Sequence, residues 1–83
     1  MEYNSKYIKK GGIFMNMIPV SSSNLVAAGY DTSSMILRIQ FKSGTYDYYN
    51  VPKNIFDGLL VAPSKGKYHH TYIKNSFSYK RIA

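Results

Sequence analysis

Eighty-three residues, 45% of them hydrophobic, suffice for one domain with a thin core, and a chain of this size buries roughly 60–65% of the surface it exposes when unfolded. The absence of cysteine excludes disulfide and thiolate–zinc staples, so the reinforcement left to a small chain is association, and a homo-oligomer is expected. Apolar runs no longer than Leu59–Ala62 exclude a membrane span or signal-peptide core, pointing to a cytoplasmic protein with no membrane partner, and the net charge of +7 points to an anionic one.

Residues 1–14 show neither helical nor strand periodicity and carry a Gly-Gly break. Lys10-Gly11-Gly12 is what AAA-GGA-GG followed by any base encodes, a bacterial ribosome-binding sequence two codons upstream of Met15. Residues 1–14 are therefore expected to be a non-native or flexible leader, and 15–83 a single domain from a bacterium or phage. The competing expectation is a basic arm built on Lys6, Lys9 and Lys10.

A first strand is expected at residues 25–30, entered through Ser21-Ser22-Ser23, whose hydroxyls suit turn bonding. Asp31-Thr32-Ser33-Ser34 then reads as a turn. In the next segment Leu37, Ile39 and Phe41 alternate with Arg38 and Gln40, the period of a strand with one buried and one solvated face. A four-residue loop, 42–45, would set Phe41 opposite Tyr46 and Ile39 opposite Tyr48. Val51-Pro52 opens a short helix with Ile55, Phe56, Leu59 and Leu60 at helical spacing, weakened at Gly58 and stopped by Pro63. Ser64 can cap a second helix in which Tyr68, Tyr72 and Ile73 form an apolar stripe and the lysines and histidines face outward, although residues 68–73 also fit a strand. The fold class is α+β: a three-stranded antiparallel meander, one or two short helices, and a C-terminal extension or edge strand.

Charge is unevenly placed. Between Met15 and Ala62, Arg38, Lys42 and Lys53 balance Asp31, Asp47 and Asp57, whereas residues 63–83 carry five cations and no acid. The candidate ligand-binding residues are accordingly Lys65, Lys67, Tyr68, His69, His70, Lys74, Lys80 and Arg81, set against the plainer reading of a solvated basic surface. Gly66-Lys67 is no phosphate-binding P-loop, since Val61 and Tyr68 stand where that motif needs Gly and Ser/Thr. Adjacent His69 and His70 diverge on either a helix or a strand, which disfavours a shared metal, and no spacing suggests a catalytic nucleophile or a carboxylate pair. No cofactor, metal site or catalytic residue is expected.

Val20 and the serines after it, "GYD" at 29–31, the Leu37/Ile39/Phe41 strand, "YDY" followed by "VP", the run from Leu59 through "SKGKY", and Phe77-Ser78-Tyr79 together resemble the KTSC domain. That family takes its name from the C-terminus of lysyl-tRNA synthetases, and the resemblance spans Met17 to Ile82. His69-His70 stand where the pattern has an aromatic and a polar residue. The resemblance implies a stand-alone bacterial or phage member and a connection to RNA. Three functions follow as expectations: capture of a phosphate-bearing nucleotide, in a phage-type protein the sequestering of a host nucleotide signal; an RNA- or DNA-binding accessory module; and a protein-interaction module docking an acidic partner. Lysine outnumbering arginine four to one in the basic quarter favours the first, because lysine meets phosphate as a point charge whereas base edges are read mostly by arginine.

Overall fold

The computed structural model describes residues 7–10 and 13–83, with side chains from Met15 onward. The described residues form two sheets. Strands β1 (Tyr7–Lys10) and β2 (Ile13–Asn16) pair antiparallel by themselves, with Ile8 opposite Met15. Backbone pairing requires no side-chain alternation, which is why sequence periodicity does not announce this hairpin. The rest of the expected leader, residues 1–6 and 11–12, lies outside the described residues.

The second sheet has five antiparallel strands in the order β3 (Ile18–Pro19), β4 (Leu25–Asp31), β5 (Ile36–Phe41), β6 (Gly44–Tyr48) and β7 (Tyr79–Arg81). The expected meander is β4-β5-β6, and a short strand extends it at each edge. Pro19 suits its edge position because it has no N–H to offer a ladder, and the C-terminal tail is the edge strand β7.

The β5–β6 register differs from expectation. Phe41 pairs with Gly44, Ile39 with Tyr46 and Leu37 with Tyr48, so the turn is Lys42-Ser43 alone. The slip is two residues, and because side chains alternate with period two every residue keeps its expected face.

One face carries Leu37, Ile39, Phe41 and Tyr48, packed against Phe56 and Leu59 of helix α1 (Lys53–Val61) and against Ile73. A bulge at Leu25–Ala27 lets Leu25 and Ala28, which are three apart, share this face while Ala27 points to the other. The opposite face was expected to be solvated. Instead it carries a second cluster of Met15, Met17, Ala27 and Ile36, beside a fully buried Arg38. Arg38 binds Asp47 two-pronged, Nε to Oδ1 at 2.7 Å and an Nη to Oδ2 at 2.8 Å, and this pairing allows a guanidinium to be buried.

Pro52 precedes α1 in extended conformation, and Lys53 and Asp57 pair one turn apart on its exposed side. The chain then turns through Pro63 into α2 (Lys65–Tyr68), where Ser64 Oγ accepts the backbone N–H of Lys67 at 3.3 Å as expected of a cap. A π turn, His69–Ile73, follows directly and closes on the N–H of Lys74, which donates to the His69 carbonyl at 2.8 Å.

Candidate functional site

Where the π turn crosses the edge of the sheet, His69 and Ile73 point inward and Tyr72 points out, about half exposed. The expected stripe of Tyr68, Tyr72 and Ile73 with both histidines outward is thereby corrected for His69 and Tyr72. The physical reason is that the sheet lies under the face defined by the i, i+4 pair His69 and Ile73, while Tyr68 leans back on α1.

His69 is one wall of a cleft of about 230 Å³ whose other walls are Phe41, Tyr46, Tyr48 and Tyr79, with Ser43 and Lys74 as its remaining polar lining residues. The aromatic walls follow from register: Tyr46 and Tyr48 alternate onto the face that holds Phe41, and Tyr79 is the cross-strand partner of Tyr48. The imidazole stands edge-on to Phe41, centroids 4.9 Å apart, and the Tyr48 and Tyr79 rings lie 5.7 Å apart. Tyr48 Oη and His69 Nε2 are 2.8 Å apart. Burial, then the neighbouring Tyr46 and Tyr79 hydroxyls, pushes the Tyr48 phenol up to about 12. Burial, then Lys74 and His70, holds His69 below the ordinary histidine value. A phenol that keeps its proton beside an imidazole that resists one makes this a contact between two neutral groups, whose donor is set by the imidazole tautomer. Among the described residues the cleft thus combines aromatic faces suited to stacking a flat ring with one ammonium group suited to an anion, and no carboxylate lines it.

The eight sequence-selected residues are distributed over several places. His69 and Lys74 line the cleft. Arg81 lies at its margin: it is the cross-strand partner of Tyr46, and its guanidinium donates to the main-chain oxygens of Ala83 at 2.9 Å and Ser43 at 3.0 Å. Lys67 and Tyr68 belong to a separate, more open groove of about 380 Å³ between Pro63 and Tyr72. Tyr68 Oη donates to the Ile55 carbonyl at 2.9 Å, and burial, then Tyr72, raises its pKa. Lys65 Nζ donates to the Ala62 carbonyl at 2.8 Å and so helps to finish α1. His70 is exposed on the outer side of the π turn, and Lys80 stands opposite Asp47 in the β6–β7 register. The cleft residues missing from the sequence selection are Phe41, Ser43, Tyr46, Tyr48 and Tyr79. Alternation marks Phe41, Tyr46 and Tyr48 as core, whereas Ser43 belongs to the β5–β6 turn and Tyr79 to the exposed edge strand β7.

Among the described residues no group of three or more His, Asp or Glu converges on a metal position, and no helix is long and apolar enough to cross a membrane.

Comparison with known proteins gives this chain its family. The KTSC domain matches residues 21–77. A protein of Tsukamurella paurometabola is 47% identical over 62 residues, which cover 74% of this chain and 92% of that protein. A lysine–tRNA ligase of Nostoc sp. is 34% identical over 68 residues, 81% of this chain but only 12% of the ligase, so the likeness is to one domain of that enzyme. Among solved structures, a KTSC domain protein from Yersinia pestis superposes with a TM-score of 0.81 at 38% identity, covering 83% of this chain and 99% of that one. Fold, family match and these relatives agree that the chain belongs to the KTSC domain family.

Proposed function

We propose that this chain is a non-enzymatic binding protein that captures a nucleotide-type ligand, with the base stacked in the aromatic cleft and a phosphate at Lys74. The observation that carries this reading is the composition of the cleft: four aromatic rings and an imidazole around about 230 Å³, with a lysine and, among the described residues, no carboxylate in the lining. The volume is below the usual range for small-molecule pockets, roughly 300–1,000 Å³, and suits one base rather than two. Stacking on aromatic side chains is worth about 1–3 kcal/mol per base, and an ammonium adds the charge contact. In a phage-type protein the use of such capture is to sequester a host nucleotide signal. A cytoplasmic homo-oligomer belongs to the same reading, and light scattering on the purified protein tests the oligomer.

The likeness to one domain of a lysine–tRNA ligase favours a second reading, an RNA- or DNA-binding accessory module. Salt separates the two. A polyanion releases condensed counterions, so log affinity falls steeply with log salt when about six or more phosphates are neutralised and gently for one to three. Binding of a fluorescent nucleotide across a salt series, with bulk RNA as competitor, is the test. A shallow slope, a fixed ratio of ligand to subunit and no displacement by RNA support nucleotide capture. A steep slope with efficient displacement replaces it with the nucleic-acid reading. Docking of an acidic protein, the third reading, would leave nucleotides without effect in the same assay.

A further inference from the structure

We propose that the cleft takes up a proton together with its anionic ligand, and that His69 is the group that receives it. This rests on the nucleotide reading of the cleft. The geometry places His69 in the same lining as Lys74, the residue assigned to the phosphate. Among the described residues the groups near the imidazole come from the sheet and from its own segment. Strand β5 contributes Phe41, which is uncharged; β6 contributes the Tyr48 hydroxyl at 2.8 Å; Tyr46 and Tyr79 lie one ring further along the sheet; and its own segment contributes His70 and Lys74. Among the described residues the neighbouring charges that act on His69 are Lys74 and His70, and both disfavour a proton on its ring.

Two effects oppose a proton on His69 in the empty cleft: desolvation, and the repulsion of Lys74 and His70. An anion seated at Lys74 cancels the Lys74 repulsion and places a negative charge near the imidazole. In the imidazolium both ring nitrogens donate, and the Tyr48 oxygen, which has free lone pairs, accepts from Nε2, so the 2.8 Å contact is compatible with the protonated ring. The proton comes from solvent and no covalent bond is altered. Thermodynamic linkage then fixes the sign. The complex binds more protons than the free protein between the depressed native value and the higher value in the complex, so affinity rises as pH falls through that window. The rise cannot exceed about tenfold per pH unit for one proton. The same neighbours make the cleft selective for charge: a neutral nucleoside stacks equally well but gains nothing from acid.

A nucleoside 3′,5′-cyclic monophosphate is the suitable probe, because its single diester charge does not titrate between about pH 8 and pH 5, whereas a phosphomonoester has its own proton to bind near pH 6. The chain has two histidines, so H70Q leaves one imidazole, and its NMR titration reports His69 directly. Saturation with the cyclic nucleotide is expected to move that titration to higher pH, and the affinity to rise several-fold from about pH 7.5 to about pH 5.5 in the native chain and in H70Q but not in H69Q. Binding whose affinity is flat with pH, with the His69 titration unmoved, overturns the proton uptake and leaves the nucleotide reading standing. Failure of all four cyclic nucleotides to bind at any of these pH values overturns that reading, and the proton uptake with it.

Discussion

A methyl group at Gly58 would overlap the Tyr68 hydroxyl and stand 2.8 Å from its Cζ. Glycine costs a helix about 1 kcal/mol relative to alanine, and here that cost admits the ring whose hydroxyl binds Ile55. G58A is therefore expected to destabilise the native chain by about 1 kcal/mol, because the strain and the lost hydrogen bond exceed the gain in propensity, and to stabilise a Y68A chain by a similar amount. Urea denaturation of the four proteins checks this, and stabilisation in both backgrounds would contradict it. Asp47 supplies the carboxylate that a fully buried Arg38 binds through two nitrogens, so D47A should cost about 3–5 kcal/mol, far more than removing the exposed partner Asp57. His69 gives stability a pH dependence with a definite sign. Its native pKa lies below the ordinary value of 6.5, so the stability due to the neutral ring is complete above pH 6.5 and is lost as pH falls from there toward the native value. Denaturation midpoints between about pH 7.5 and pH 5 should fall in the native chain and fall less in H69Q.

At the scale of elements, most of the sheet face was legible because strands advertise themselves by period two: Leu37, Ile39 and Phe41 lie on the buried face, and a register error of two residues could not move them off it. Helix α1 was legible from Ile55, Phe56, Leu59 and Leu60, its boundary from Pro63, and the second helix from Ser64. Three features were not. Cover on the second sheet face comes from Met15 and Met17, and Arg38 with Gln40 looks like a solvated side until a buried carboxylate is known to stand across from the arginine. The π turn changes which of five consecutive residues meet the sheet, and no local residue preference announces it. The cleft is the third: Phe41 and Tyr48 read as core aromatics, and the ring that completes the walls with them, Tyr79, stands on the exposed three-residue edge strand β7. Lys80 and Arg81 on that strand also have a structural role available, since cations on an exposed edge discourage pairing with another chain. Gly29 tests how the second face is covered. A Cβ there would stand 2.7 Å from Met17 Sδ and 2.8 Å from the Asn16 carbonyl oxygen, so G29A is expected to loosen Met15 and Met17 and to cost about 1–3 kcal/mol, measured by denaturation.

For the molecule as a whole, a chain beginning at Met15 retains both methionines of the second cluster and every residue of the five-stranded sheet. It should fold and bind like the longer chain, with a melting temperature lowered by no more than about 4–8 °C, the shift that 1 kcal/mol produces at this size. A larger drop would show that residues 1–14 are structural. Basic charge spread over the C-terminal quarter invites a diffuse electrostatic reading, whereas the fold directs Lys65 to a helix end, Lys67 to an open groove, Arg81 to backbone carbonyls and Lys74 to an aromatic cleft. Under the proposed function it is the cleft, rather than the charge as such, that holds the ligand. The most direct measurement of this is the affinity for a fluorescent nucleotide at constant salt in three chains of different charge: Y79A, which removes a stacking wall and no charge; K74A, which removes one charge from the cleft; and K65A/K67A, which removes two charges elsewhere. Y79A and K74A are each expected to lose about 5- to 150-fold, the equivalent of about 1–3 kcal/mol, while K65A/K67A stays within a few-fold of the native chain. Loss of binding in K65A/K67A with Y79A and K74A unaffected would contradict this reading and return the site to the stretch between Ser64 and Tyr68.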